Sequence, residues 1–225
     1  MKATQLIKLF SCLSLCLDMS FTNAQTVLTQ EQKWEEKIQR YERLDKQNPP
    51  PDNVILFVGS STIENWKTLK DDFVGRAVLN RGVSGTKTID LYTYRDRLIT
   101  PYNAKQIFIY EGDNDIGLHW PTDRIVAQFT ALFSEIRKTK PQAEIIYISI
   151  KPSPRRLKDK IQIEEVNARI KQFLEQQSGT AYADVYSKML DVNGDLVPAY
   201  YREDGLHLTA EGYTLWKDVI SRFIK

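Results

Sequence analysis

The sequence predicts a three-layer α/β/α domain on a flavodoxin-like parallel sheet of about five strands, and two observations carry that prediction. Short continuous apolar runs rich in β-branched residues alternate along the chain with longer segments of helical periodicity. Parallel strands need crossover connections, each usually a helix, and a strand covered on both faces reads as an unbroken apolar run. A chain of 225 residues with 42% apolar content can bury one full-sized core, so one domain over residues 25–225 is the expectation.

Residues 1–24 read as a secretory leader. Lys2 and Lys8 give a basic start, Leu9 to Leu17 is a short apolar run, and Thr22-Asn23-Ala24 offers a small-residue site for cleavage after Ala24. The run falls well short of the ~20 residues that span a bilayer, so no stable membrane insertion is expected once the leader is removed. A lipoprotein anchor on Cys12 or Cys16 is the alternative, although Phe10 and Leu15 suit a lipidation signal poorly. Trp34, Ile38, Tyr41 and Leu44 then recur at helical spacing, which predicts a helix from Gln30 to Lys46, ended by Asn48-Pro49-Pro50-Pro51. Strands are expected at Val54 to Val58, Ala77 to Leu79, Gln106 to Tyr110 and Ile145 to Ile150, with a weaker one at Ala181 to Val185. Between them, Ile125, Phe129, Leu132, Phe133 and Ile136 mark one helix, and Val166, Ile170, Phe173 and Leu174 another. A last helix should start near Thr209 and bury Trp216, Val219, Ile220 and Phe223.

Composition narrows the function classes. Both cysteines lie in the leader, so the mature chain would have no thiol, disulfide or thiolate metal site. Removing Lys2, Lys8 and Asp18 lowers the formal charge from +2 to +1, and such a balanced surface argues against nucleic acid or an anionic membrane as partner. The basic stretch Pro154-Arg155-Arg156-Leu157-Lys158 reads as a solvated loop, and Asp191-Val192-Asn193-Gly194-Asp195 as a polar turn, since the later glutamate of a calcium loop is missing. The chain has neither the Gly-x-Ser-x-Gly elbow of α/β-hydrolases nor a Gly-Lys-Ser/Thr phosphate loop.

In a parallel sheet, ligands bind at the carboxyl ends of the strands, so the loops after each run carry the chemistry. These contain Gly59-Ser60-Ser61-Thr62, Gly82-Val83-Ser84-Gly85 and Glu111-Gly112-Asp113-Asn114-Asp115, and the loop before the last helix reads Asp204-Gly205-Leu206-His207. A serine hydroxyl becomes a nucleophile when a base takes its proton and a third group fixes the base's tautomer. Of the two histidines, His207 follows Asp204 by three residues, close enough for the carboxylate to reach Nδ1 in one turn. Ser61 should open a helix whose free N–H groups can receive an oxyanion, with Gly85 and Asn114 as further donors.

Taken together, these loops are similar in order and spacing to the blocks of the SGNH hydrolases, also called the GDSL-like lipase/acylhydrolase family. The resemblance runs through the mature sequence and is carried by the helix and proline run before the first strand, Phe57-Val58-Gly59-Ser60-Ser61, Asn80-Arg81-Gly82-Val83-Ser84-Gly85, Gly112-Asp113-Asn114-Asp115 and Asp204-Gly205-Leu206-His207-Leu208. It implies Ser61 as nucleophile, His207 as base, Asp204 as its orienter, and the Ser61 and Gly85 N–H groups with the Asn114 side chain as oxyanion hole. The namesake Gly-Asp-Ser-Leu reads Gly59-Ser60-Ser61-Thr62 here, typical of a secreted bacterial-type subgroup, and leaves Ser60 as a neighbouring hydroxyl. No cofactor and no metal are implied.

The resemblance allows acetylated carbohydrates, short-chain esters, lysophospholipids and acyl thioesters as substrates. His119, Trp120 and Arg155, with Tyr200 and Tyr201, are candidates for contact with a hydroxylated alcohol part, which favours a short acyl group on a small-molecule or glycan ester. Lys151-Pro152-Ser153-Pro154-Arg155 follows a strand end and would reach the pocket rim unless it is only a proline-stiffened loop. The alternatives are a lysophospholipase and a catalytically silent carbohydrate-binding protein on the same fold.

Overall fold

The computed structural model describes residues 28–225, so the expected leader, with Cys12 and Cys16, lies outside the described residues. Helix α1 (Gln30–Gln47) opens on a capping box: the Thr29 hydroxyl accepts from the Gln32 N–H, and the Gln32 side chain accepts from the Thr29 N–H. Its buried stripe holds Trp34 and Ile38, and the chain leaves it through Asn48 and the three prolines. The domain continues as β1 (Val54–Gly59), α2 (Ser61–Glu64), α3 (Leu69–Asp72), β2 (Val78–Gly82), α4 (Thr88–Leu98), β3 (Ala104–Tyr110), α5 (Asp113–Gly117), α6 (Thr122–Thr139), β4 (Glu144–Ile148), α7 (Lys160–Glu175), β5 (Thr180–Ala183) and α8 (Ala210–Ile220).

The five strands lie in the order β2-β1-β3-β4-β5 and every neighbouring pair is parallel. From β1 the chain first moves outward to β2 and then returns to β3 on the other side, so the loops after β1 and β3 diverge at a switch point. Side chains of each strand alternate between two apolar layers. Val54, Leu56, Val58, Ile107 and Ile109 pack with α1, α4, α6 and α7, while Ile55, Phe57, Phe108 and Tyr110 pack with α2, α3 and α8. These side chains are essentially inaccessible to solvent, and each contributes about 1.5–3 kcal/mol relative to an exposed position.

The strand bounds depart from the sequence expectation in several places: β3 starts at Ala104 rather than Gln106, and β5 ends at Ala183 rather than Val185. β2 extends to Gly82 rather than stopping at Leu79, because its polar residues find partners. The Asn80 amide donates to Ile63 O, and Arg81 is buried between the rings of Tyr41 and Tyr102 and paired with Asp45. β4 stops at Ile148 rather than Ile150; the Ile150 N–H and C=O are both satisfied by the Asn167 side chain, at 2.8 and 2.9 Å. Thr209 caps α8, in which Trp216, Val219 and Ile220 are buried, whereas Phe223 lies beyond the helix and is half-buried. Residues 191–195 form a tight polar turn in which Asp191 Oδ1 accepts from the Asn193 and Asp195 N–H groups. Among the described residues no helix is long and apolar enough to cross a membrane.

Candidate active site

The end of β1 is pressed against β3 so closely that a Cβ on Gly59 would sit 2.1 Å from Tyr110 O, and its φ of +140° is one that other residues rarely adopt. The chain then turns sharply. Ser60 is buried and donates its N–H to Tyr110 O, while Ser61 is half-buried at the first position of α2. Helix α2 sits directly on β2, where a Cβ on Gly82 would meet Glu64 N at 2.3 Å. Both glycines therefore serve to seat the Ser61 turn at the mouth of the switch point.

On the opposite wall, Asp204 folds its side chain back over its own turn. Its Oδ1 accepts from the Leu206 and His207 N–H groups, each at 2.9 Å, and its Oδ2 lies 2.6 Å from His207 Nδ1. The His207 ring, together with these N–H donors, holds the Asp204 carboxyl far below the usual carboxylate range. The turn itself is tied down by the Arg155 N–H on Gly205 O and the Arg202 N–H on His207 O. His207 Nε2 then lies 3.0 Å from Ser61 Oγ, across 146 residues of sequence. Carboxylate, imidazole and hydroxyl thus form one continuous chain, the geometry that lets an imidazole of fixed tautomer take a hydroxyl proton. The buried Ser60 hydroxyl is not part of that chain.

Two further loops face Ser61. Gly85 has φ +82°, and its N–H, like that of Ser61, donates to no other described residue. The Asn114 amide donates one N–H to Thr86 O at 2.8 Å, which holds the side chain between its own helix and the Gly85 loop and leaves its second N–H free. Ser61, Gly85, Asn114 and His207 all line one cleft of about 520 Å³, with Gln30, Lys33, Trp34 and Lys37 of α1 as its far wall. The amphipathic helix expected from the sequence thus also walls this cleft.

The acidic residues around Asn114 have distinct environments. Burial pushes the Asp113 carboxyl up, but Lys151 Nζ at 2.5 Å, Arg156 Nε at 3.0 Å and the Tyr110 hydroxyl outweigh it and hold the group below the ordinary range. Burial pushes the Asp115 carboxyl up to about 6, partly offset by the Thr88 N–H that it accepts at the start of α4. Burial also pushes the Glu111 carboxyl well up, and its Oε1 accepts from the Thr86 hydroxyl at 2.7 Å. Lys151 is accordingly not a rim residue: its side chain is completely buried, where it anchors α5 from behind.

The remaining substrate-contact candidates are not among the residues that line this cleft. His119 is exposed with φ +58°, Trp120 packs its ring under the Arg124 guanidinium at 3.6 Å, and the exposed Arg155 meets the His207 turn through its backbone N–H. Tyr201 is buried with its hydroxyl on Pro152 O. Among the described residues no group of three or more His, Cys, Asp or Glu is gathered as a metal-binding set.

Comparison with known proteins bears on the same loops. A curated protein of Escherichia coli O18:K1:H7, N-acylneuraminate cytidylyltransferase, is 24% identical over 223 residues, 92% of this chain and 50% of that protein. The chain thus spans about half the length of this curated relative. The solved structure of a GDSL-like lipase from Bacteroides thetaiotaomicron superposes with a TM-score of 0.71 at 24% identity, covering 83% of this chain and 96% of that one. A catalytic mutant of an acetylxylan esterase from Geobacillus stearothermophilus gives a TM-score of 0.63 at 16% identity, covering 77% and 95%. These likenesses show the fold. The profile of the GDSL-like Lipase/Acylhydrolase family matches residues 58–215, from the end of β1 into α8 and across every loop that faces the cleft. By that match the chain belongs to the GDSL-like lipase/acylhydrolase family.

Proposed function

We propose that this enzyme removes short acyl groups, acetyl in particular, from a hydroxylated alcohol such as a sugar, through a Ser61-His207-Asp204 triad. Ser61 Oγ attacks the ester carbonyl while His207 Nε2 takes its proton, and the tetrahedral oxyanion is received by the Ser61 and Gly85 N–H groups and the Asn114 amide. His207 returns the proton to the departing alcohol, leaving an acyl group on Ser61. Water, deprotonated by the same imidazole, then attacks the acyl carbon, and collapse of the second oxyanion releases the acid and regenerates Ser61.

The observation that carries the reading is the hydrogen-bonded chain of 2.6 and 3.0 Å from Asp204 through His207 to Ser61, at a cleft that polar side chains share with Trp34, Val83 and Leu206. Gln30, Lys33, Lys37, Asn65 and Ser84 suit hydroxyl groups better than a long acyl chain. That an acetylxylan esterase shares the fold is in keeping with this substrate class. We place the mature enzyme outside the cytoplasm, exported by its first 24 residues.

Hydrolysis of nitrophenyl esters from acetyl to decanoyl, with acetate release from acetylated oligosaccharides, tests the substrate. A maximum at acetyl is expected; a decanoyl maximum would replace this reading with lipolysis. Ser61→Ala should abolish turnover while Ser60→Ala keeps a substantial part, and the opposite ranking in folded proteins would move the nucleophile to Ser60.

A further inference from the structure

The Ser84–Gly85 peptide is clamped by residues that lie outside the loops that face each other across the cleft. Its carbonyl oxygen, Ser84 O, accepts from Trp34 Nε1 at 2.8 Å and from Gln30 Nε2 at 3.2 Å, both on α1. One peptide earlier, the Ser84 N–H donates to Glu64 Oε2 at 2.7 Å, and Glu64 is itself held by Lys37 of α1 at 2.7 Å. Tyr41, farther along α1, donates to Gly82 O at 2.6 Å. Helix α1 therefore meets the end of β2 at Gly82 and the β2–α4 loop at Ser84, although it precedes residue 58, where the family profile begins.

In a planar trans peptide the C=O and N–H point in opposite directions, so fixing Ser84 O fixes the direction of the Gly85 N–H. The Val83–Thr86 turn, closed by the Thr86 N–H and hydroxyl on Val83 O, sets this peptide across its tip, and the two α1 donors hold it there: Gly85 has no side chain to wedge, its φ is +82°, and its N–H has no partner among the described residues. A carbonyl that accepts two hydrogen bonds also polarises its amide and makes the opposite N–H a stronger donor. The helix lies close enough that a Cβ on Gly85 would come within 3.1 Å of Gln30 Nε2.

We infer that Trp34, assisted by Gln30, is a positioning residue of this enzyme: its indole N–H aims and polarises the Ser84–Gly85 peptide so that the Gly85 N–H meets the oxyanion. The inference rests on the proposed role of Gly85. It assigns α1 to the catalytic apparatus rather than to packing alone. Acylation and deacylation both pass through an oxyanion, so the effect falls on kcat whichever step is slower, while the ground-state ester feels it little.

Trp34→Phe keeps a ring against Tyr94 but removes the donor. With nitrophenyl acetate, kcat should fall about 5- to 10-fold with KM within twofold, as expected for the loss of roughly one hydrogen bond in the transition state. Gln30→Ala, on an exposed residue, should fold normally and lower kcat by a smaller factor, and the double variant should exceed either. Inactivation by a nitrophenyl phosphonate, whose attack by Ser61 also builds charge in the oxyanion hole, should slow in parallel. Native kcat in folded Trp34→Phe, or a change confined to thermal stability or KM, overturns the inference. If Trp34→Phe does not fold, native kcat in Gln30→Ala does so. Wild-type enzyme without turnover would instead overturn the esterase site as a whole.

Discussion

Replacing Asp204 by asparagine separates the two tasks of that side chain, and the size of the effect follows from its contacts. Asp204 Oδ1 accepts two backbone N–H groups and Oδ2 faces His207 Nδ1. An asparagine that keeps its oxygen on the two N–H groups must present its NH₂ to Nδ1, which forces Nδ1 to accept and leaves the proton on Nε2, where it cannot take one from Ser61. An asparagine turned the other way restores the productive tautomer but gives up two backbone hydrogen bonds, about 1 kcal/mol each. That alone holds the competent form to roughly one molecule in thirty. Losing the negative charge that stabilises the imidazolium costs roughly a further factor of 10–30, at the low end for a charge-assisted bond because the Asp204 side chain is 41% exposed. The expected fall in kcat is therefore on the order of 10³, smaller than the ~10⁴ characteristic of a buried triad aspartate. Initial rates on nitrophenyl acetate, with circular dichroism to verify the fold, measure it. A folded Asp204→Asn enzyme within tenfold of wild type would refute both the tautomer argument and the place of Asp204 in the triad.

Asn114→Ala should lower kcat by about 10²- to 10³-fold with little change in KM, and should also lose about 1 kcal/mol of stability through its bond to Thr86 O; steady-state kinetics beside thermal unfolding separate the two, and near-normal turnover would remove it from the oxyanion hole. Lys151→Met leaves Asp113 with only Arg156 and Tyr110 in a site closed to water, and urea unfolding should show a loss of about 3–5 kcal/mol. The pH dependence has a definite sign: because the Asp113 pKa is depressed on folding, its contribution is present above the ordinary carboxylate range and is lost as pH falls through the folded value. Wild type should therefore lose part of its advantage over Lys151→Met in acid, and a difference in unfolding free energy that stays constant from pH 7 to pH 3 would contradict the pairing.

The layered fold was legible because its strands are nearly pure apolar runs, which have few alternatives to a sheet covered on both faces. β1 and β3 were found almost to the residue, whereas β2 was cut short at Leu79. Asn80 and Arg81 look like loop residues because what makes them acceptable in a strand, Ile63 O for one and Asp45 with two tyrosine rings for the other, comes from elements 17 and 36 residues away. The four site loops were legible for a related reason. Each lies directly after a strand or before a helix, so its chemistry and its place in the fold are encoded in the same few residues. His119, Trp120 and Arg155 had no such local anchor, and none of them lines the cleft, although the Arg155 N–H bonds the His207 turn.

The acidic run Glu111 to Asp115 shows why charge state is harder to read than position. Three carboxyls within five residues differ in sequence context by almost nothing, yet one is held below the ordinary range by Lys151 and Arg156, burial pushes one up to about 6, and full burial raises the third well above its ordinary value. The cations that set this difference lie 38 and 43 residues downstream. Helix α1 poses the converse case. Trp34, Ile38 and Tyr41 stand at the spacing of a core-facing stripe, and the stripe does face the core. But indole and phenol carry a donor at one edge that must find an acceptor when the ring is buried, unlike the isoleucine between them. Their acceptors are Ser84 O, in the loop that carries Gly85, and Gly82 O, at the end of the strand before it. The signal was therefore present in the residue types rather than in their periodicity: two polar-edged aromatics on an apolar stripe imply two backbone acceptors on the surface it covers, and here those acceptors are Ser84 O and Gly82 O.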